Sequence, residues 1–398
     1  MTNTTPSLER PLTGITVLSL EHAIAAPLCT RQLADLGARV IKIERPGVGD
    51  FARGYDKRAK GQSSHFIWTN RSKESLSLNI KHPQAMLLLH KLLATADVLV
   101  QNLAPGSTAK LGLSYESLQA QYPKLIVCDI SGYGTEGSYK DKKAYDLMIQ
   151  SEAGFLSVTG SPQEMAKAGI SIADIAAGMQ AHSGILAALL LRANTQQGSH
   201  ITISMLESMV EWMGFPLYYA LDGAPPPPRS GSDHASIYPY GAFPSGDGKM
   251  HMLGLQNERE WQSFCEQVLQ KVELITDERF CSNTLRNEHR EPLREIINTV
   301  FSHLTSKQLQ LRLHKAQIAN AQINQMQDVW NHPQLQSNLH TVQTPNGTLP
   351  TFLPPAKNNS YSPMVEPVPA LGEHTRSILK QLDYKEEEIE DMFNEGVV

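Results

Sequence analysis

The chain has 398 residues, 41% hydrophobic and 19% charged, with 35 Lys+Arg against 40 Asp+Glu. That length holds about two to three domains and a sizeable core, and the composition excludes a disordered chain. The net charge of −5 has the wrong sign for a general nucleic-acid binder, and Cys29, Cys128, Cys265 and Cys281 show no CxxC spacing that would hold structural zinc.

The first ten residues are polar and lack an apolar signal core. No stretch approaches about 18 uninterrupted apolar residues. Together with the sparse cysteines, this suggests a cytoplasmic protein in a reducing compartment, with no membrane and no nucleic-acid partner.

Over the first 130 residues, β-branched runs at 15–20, 39–43, 75–80, 98–100 and 125–130 read as buried strands. Between them the spacing predicts helices, clearest over 83–96, where Met86, Leu89, Leu92 and Leu93 share a face and Pro83 suits the first turn. Strand–helix–strand repetition at this pitch predicts an α/β fold with a Rossmann-like, doubly wound parallel sheet. A long helix is expected over 175–192, burying Ile175, Met179, His182, Ile185, Leu186 and Leu189. A strand comes next, over 199–205.

At Asp222-Gly-Ala-Pro-Pro-Pro-Pro-Arg-Ser-Gly-Ser the composition breaks into a stiff, extended linker. The expected organisation is therefore a large α/β domain over 1–221, a linker over 222–234 and a smaller α+β domain over 235–325. The segment 326–398 returns to the large domain and ends in a charged amphipathic helix over 378–393.

The segments after the strands exclude several chemistries. The first strand runs into Glu21-His-Ala-Ile-Ala-Ala-Pro rather than GxGxxG, so a nicotinamide site is not expected. No P-loop, Gly-x-Ser-x-Gly elbow, His-Glu-x-x-His or EF-hand loop occurs, and no metal is expected. The small run Ala23, Ile24, Ala25, Ala26 suits either close backbone approach to a ligand or tight helix–sheet packing. Lys42, Arg45 and Arg53, then Arg71 and Lys73, cluster after the second and third strands. They are either solvated or placed to hold an anion beyond the sheet's carboxyl ends. Asp174, in Ala168-Gly-Ile-Ser-Ile-Ala-Asp, suits two roles: an N-cap for the long helix, or a carboxylate held in a partly dry site as a nucleophile. Asp146 suits a cap of its own helix.

Eight segments in order carry a resemblance. They are Pro11-Leu-Thr-Gly-Ile-Thr-Val-Leu, Leu36-Gly-Ala-Arg-Val-Ile-Lys-Ile-Glu-Arg-Pro-Gly with Gly49-Asp50, Asn70-Arg-Ser-Lys-Glu-Ser-Leu and Asp97-Val-Leu-Val-Gln-Asn-Leu-Ala-Pro-Gly. The others are Ser131-Gly-Tyr-Gly, Ala144-Tyr-Asp, the Asp174 segment and Leu371-Gly-Glu-His-Thr. With them the chain resembles the family III CoA-transferases, the group of formyl-CoA transferase and carnitine CoA-transferase. The resemblance implies an interlocked homodimer, no permanently bound cofactor, and acyl-CoA and a carboxylic acid as substrates. It places the nucleophilic aspartate on Asp174 and CoA contacts on Ala23, Ile24, Ala25, Arg45, Lys73, Asn102, Leu103 and Lys110.

Departures from formyl-CoA transferase fall at Ile24 (a glutamine there), Ser131 (a lysine) and Gly254-Leu-Gln (a run of glycines). The segments around Glu21, Ser64 and His234 look most like the branch moving CoA from succinyl-CoA to C5 dicarboxylates such as itaconate. A dicarboxylate needs a partner for its far charge; Arg71, His65, Ser232, His234 and Tyr238 are the candidates, and amides near Gly254 are candidates for the oxyanion. The α-methylacyl-CoA racemases share the fold and are the rival reading. The histidine they use falls on Tyr145, a poor base at neutral pH. A catalytically silent CoA-binding protein is the third possibility.

Overall fold

The structure, a computed structural model, describes residues 10–398, so the polar segment 1–9 lies outside the described residues. The chain divides into two units. The first takes in the chain up to Gly154, then Ala168–Gly214 and Asn338–Val398; the second takes in Phe155–Lys167 and Phe215–Ser337.

Six strands build the main sheet of the first unit: β1 (Thr16–Leu20), β2 (Arg39–Glu44), β3 (Lys73–Ser77), β4 (Val98–Gln101), β5 (Ile126–Ser131) and β6 (His200–Ser204). They form one parallel sheet in the order β3-β2-β1-β4-β5-β6. The near-continuous apolar runs of β1, β4 and β5 are what a sheet covered on both faces demands. One cover is helix Ala85–Leu93 with the C-terminal helices Thr375–Gln381 and Glu386–Asn394. Leu88, Leu89, Leu92, Ile378, Leu379 and Ile389 close over Leu18, Ile41 and Leu99 there. Each such leucine or isoleucine contributes about 1.5–3 kcal/mol by leaving water.

Three expectations change in detail. The third strand runs Lys73–Ser77 rather than 75–80: it pairs with β2 from Lys73 on, and Ser75 and Ser77 bond the returning chain at Gly372, His374 and Thr375. The terminal helix is two helices, parted where Asp383 turns left-handed at φ +64°. The long helix runs Ile172–Thr195 and buries Ala173, Ala176, Ala177, Gly178, Ala181, Ile185 and Ala188. Met179, expected inside, is 46% exposed. The buried face is the small-residue face because another helix, Ala25–Asp35, comes very close to it. By length and composition this long helix is also apolar enough to cross a membrane.

The second unit contains a three-stranded antiparallel sheet of β7 (Tyr240–Pro244), β8 (Met250–Gly254) and β9 (Ala319–Gln322), ordered β7-β8-β9. Its core gathers Phe243, Trp261, Phe264, Leu293, Ile297 and Phe301. The proline-rich segment 224–230 within this unit has no regular structure.

Candidate active site

In the sheet of the first unit the strand order reverses between β1 and β4. Open α/β sheets bind ligands at such a point, outside the carboxyl ends of the strands. A cavity of about 800 Å³ lies there, lined by the segments after β1 (His22, Ala23, Ile24, Ala25), after β4 (Asn102, Leu103, Ala104, Pro105) and after β5 (Ser131, Gly132, Ala144, Tyr145). That size is in the range of small-molecule and cofactor sites.

The segment after β1 is tied at several points. The Asn102 side chain accepts from the His22 N–H at 2.8 Å and donates back to the His22 carbonyl at 2.9 Å. Ala23 is left-handed at φ +63°, a conformation rare outside glycine, and its N–H donates to Asp50 Oδ1 at 3.2 Å. Ala25 then opens helix Ala25–Asp35.

Asp174 sits in the first turn of the long helix and lines the same cavity. It meets the Ala25 amide because the two helices touch at Gly178, one turn further along. A Cβ on Gly178 would lie 2.6 Å from the Ala25 carbonyl oxygen, closer than side chains tolerate. Burial, reinforced by the nearby charge of Asp146, pushes the Asp174 carboxyl up to about 7; a hydrogen bond from the Ala25 amide opposes this in part. A carboxylate in that state is a stronger base and nucleophile than an ordinary aspartate.

Capping belongs to the other acid. Asp146 Oδ1 accepts from the Ala173 N–H at 2.8 Å and the Asp174 N–H at 3.4 Å, and Oδ2 accepts from Gln150 Nε2 at 2.6 Å. Asp146 therefore satisfies the exposed amides of the long helix from another element, and the Asp174 side chain makes no cap bond there.

The cations divide into two sets. Lys42, Arg53, Arg71 and Lys73, expected to face an anion, are tied to buried carboxylates. Lys42 joins Glu21 and Asp50, and Arg53 grips Glu44 at 2.7 and 2.8 Å. Arg71 grips Asp35 at 3.0 Å through two nitrogens. Lys73 is 3% exposed, and its ammonium donates to Glu21 at 2.7 Å, the Pro27 carbonyl at 2.9 Å and Asn70 at 3.1 Å. Those three bonds exhaust its donors, so neither Lys73 nor Arg71 stands ready for a ligand in this conformation. Arg45 is exposed beyond the cavity lining with one 3.4 Å bond to the Gly49 carbonyl.

The lysines that do line the cavity are Lys81, Lys110, Lys142 and Lys143. Among the described residues Lys142 pairs with Glu152, while Lys81, Lys110 and Lys143 form no ion pair. Of these, sequence reasoning named only Lys110. Lys81 comes after β3 in the way the anion argument requires, and that was the signal available.

Part of the lining is aromatic. His22 stacks on Phe51 at 4.9 Å, Phe51 meets Tyr55 at 5.9 Å, and Tyr55 meets His65 edge-on at 5.4 Å. His65 lines the cavity with Nδ1 3.5 Å from Asp56. Burial, with Asp50 and Asp174 adding their charge, pushes the Tyr55 hydroxyl up to about 12. Tyr145 also lines the cavity, 68% exposed.

The remaining candidates belong to the second unit. His234 stacks on Tyr240 at 5.2 Å, and its Nδ1 accepts from the Ser236 and Ile237 amides. Tyr238 is fully buried, with the Arg290 guanidinium 5.0 Å from its ring. Gly254 ends β8, paired with Tyr240 on one side and Ala319 on the other, and the Leu255 N–H is spent on the Pro239 carbonyl. Among the described residues no group of three or more His, Cys, Asp and Glu is placed to hold a metal.

Known proteins give the family. The model of CoA-transferase family III matches residues 12–375. A succinyl-CoA:glutarate CoA-transferase of Mus musculus is 34% identical over 397 residues, spanning 98% of this chain and 90% of that protein. A succinate–glutarate CoA-transferase of Agrobacterium fabrum is 33% identical, spanning 95% of this chain and 97% of that protein. Among solved structures, a CAIB/BAIF family protein from Brucella suis superposes with a TM-score of 0.86 at 31% identity, covering 94% of this chain and 100% of that one. The chain belongs to CoA-transferase family III and is an enzyme of that class.

Proposed function

From that membership we propose that the enzyme moves CoA from succinyl-CoA to a C5 dicarboxylate, with glutarate and itaconate as the candidate acceptors, through covalent intermediates on Asp174. The carrying observation is the Asp174 carboxylate, pushed up to about 7, in a cavity of about 800 Å³ at the sheet's switch point. The relatives named for succinate and glutarate support the acyl groups.

Asp174 attacks the donor thioester carbonyl, forming a mixed anhydride and releasing CoA thiolate. The thiolate attacks the aspartyl carbonyl, which leaves an aspartyl-CoA thioester and frees succinate. The acceptor carboxylate runs the same two steps in reverse. Because CoA stays bound throughout, its phosphates need anchors away from the reacting carbon. Lys81, Lys110 and Lys143 supply them, Asn102 and Leu103 hold the middle of the chain, and exposed Arg45 is a further anchor outside the lining. His65, on the aromatic wall, is the candidate partner for the acceptor's far carboxylate.

We read the working form as a homodimer. The face of the long helix bearing exposed Met179, Leu190 and Leu191 is the kind of surface a second copy covers. The cytoplasm, a reducing compartment, suits the four free thiols.

The test is wild type and D174N with succinyl-CoA and a panel of acids, read by mass spectrometry. Wild type should make glutaryl- or itaconyl-CoA faster than butyryl-CoA and, with donor alone, carry a hydroxylamine-sensitive CoA adduct on residue 174. D174N should bind CoA yet lose transfer by at least about a thousandfold, as expected for removing a covalent nucleophile. An adduct on Asp146, or an active D174N, would refute the assignment.

A further inference from the structure

Beneath the cavity loop lies a layer of charge that solvent does not reach. Glu21, Lys42 and Asp50 are 0% exposed. Lys73 donates to Glu21 Oε1 at 2.7 Å and the Thr30 hydroxyl donates to Glu21 Oε2 at 2.7 Å. Lys42 bridges Glu21 Oε1 at 3.3 Å and Asp50 Oδ2 at 2.7 Å. Two ammonium groups face two carboxylates, and this pairing alone accounts for one oxygen of Asp50.

The other oxygen reaches out of the layer. Asp50 Oδ1 accepts from the Ala52 N–H at 2.9 Å and from the Ala23 N–H at 3.2 Å. His22 Nδ1 lies 3.9 Å from the same oxygen, and its ring stacks on Phe51, the residue after Asp50. Ala23 is the point where the loop is left-handed, at φ +63°. An alanine does not settle there unaided, since its Cβ crowds the following carbonyl oxygen in that region. Two residues on, Ala25 packs against the long helix, its carbonyl oxygen 2.6 Å from where a Cβ on Gly178 would lie, and it lines the same cavity as Asp174. On one side the loop is fixed by Asn102 through His22; on the other it runs into the helix. Ala23 is the link between these two fixed ends.

We propose that Asp50 is a positioning residue for the transfer reaction: by holding the Ala23 amide it keeps the loop after β1 in the one conformation that seats Ala25 against the long helix and so fixes Asp174 at the cavity. The proposal rests on Asp174 being the nucleophile. Without the hold, Ala23 relaxes to negative φ, Ala25 shifts against the first turns of the long helix, and the Asp174 carboxylate is displaced with them. A displacement of this kind near the reacting groups costs on the order of a hundredfold in rate.

Two variants test it. D50N weakens the hold from below, because a neutral amide pairs poorly with Lys42 and accepts less strongly. A23V attacks it from above, because a β-branched residue resists positive φ, and it leaves the buried layer untouched should D50N fail to fold. In each folded variant kcat should fall at least about thirtyfold, and in D50N, whose site lies below the cavity lining, the KM for succinyl-CoA should stay within about threefold of wild type. The acid limb of kcat/KM should move to higher pH, since Asp146 and Tyr55, the groups that face Asp174, remain and the Ala25 bond does not. A purely structural role would lower thermal stability and active fraction while leaving the acid limb in place. Failure of the nucleophile reading would show separately, as transfer by D174N. A dead D174N combined with an unmoved acid limb in D50N and A23V overturns the positioning role alone.

Discussion

Removing the charge of Asp174 should stabilise the protein, and by an amount that grows with pH. In the unfolded chain this carboxyl ionises near 3.8, and in the folded chain near 7. Between those values the folded state holds the extra proton, so stability is lost as pH rises through the window and the full cost stands above it. At about 1.36 kcal/mol per unit, the ceiling is about 4 kcal/mol at pH 8 and about 1.7 kcal/mol at pH 5. Water in the cavity screens part of this, so D174N should gain on wild type by roughly 1–2.5 kcal/mol between pH 5 and pH 8. Titrating groups away from residue 174 are common to both proteins and cancel, and Tyr55, which the Asp174 charge raises, titrates far above this window. Equilibrium urea unfolding of the two at both pH values measures the gap. A gap that stays constant, or a wild type that is the more stable at pH 8, would show that the carboxylate is not held at a cost.

The close helix contact and the cavity lysines each set a further outcome. G178A should push the long helix off the Ala25 carbonyl, costing about 1–3 kcal/mol by overpacking and about a hundredfold in transfer by misplacing Asp174; a near wild-type rate would mean the close approach is incidental. Replacing Lys81, Lys110 and Lys143 together by alanine should raise the KM for acyl-CoA at least about tenfold, lessen its salt dependence and leave the acceptor KM near wild type; an unchanged acyl-CoA KM would remove these residues from the phosphate site.

The parallel sheet was legible in the sequence because strands buried on both faces carry runs of branched apolar residues, as in Val98-Leu-Val and Ile126-Val-Cys. The third strand was placed two to three residues too late because Lys73-Glu-Ser looks like loop; its polar groups are buried only through partners such as Glu21 and the returning segment around His374. The long helix was legible as a helix but not in its orientation. Periodicity favours large apolar residues as the inner face, and here closeness to a second helix selects alanine and Gly178 instead. Lys42, Arg53 and Arg71 read as free cations because their carboxylates lie 8 to 36 positions away. The same separation hid the transfer of the capping role to Asp146, 27 positions before the amide it accepts.

That misreading of the cations bears on how the nucleophile persists. An aspartate held near 7 is a strained arrangement, and a free ammonium beside it would relieve the strain by lowering its pKa and with it the reactivity of the carboxylate. The first unit buries two lysines behind the cavity loop, yet what acts on Asp174 is burial, the charge of Asp146 and the Ala25 amide. Lys42 and Lys73 are neutralised first by Glu21 and Asp50. A buried carboxylate is costly to leave without a cation, so the paired layer and the unpaired Asp174 depend on each other. The layer supplies a rigid floor for the loop without supplying a counter-charge, and Asp174 keeps the basicity that attack on a thioester requires.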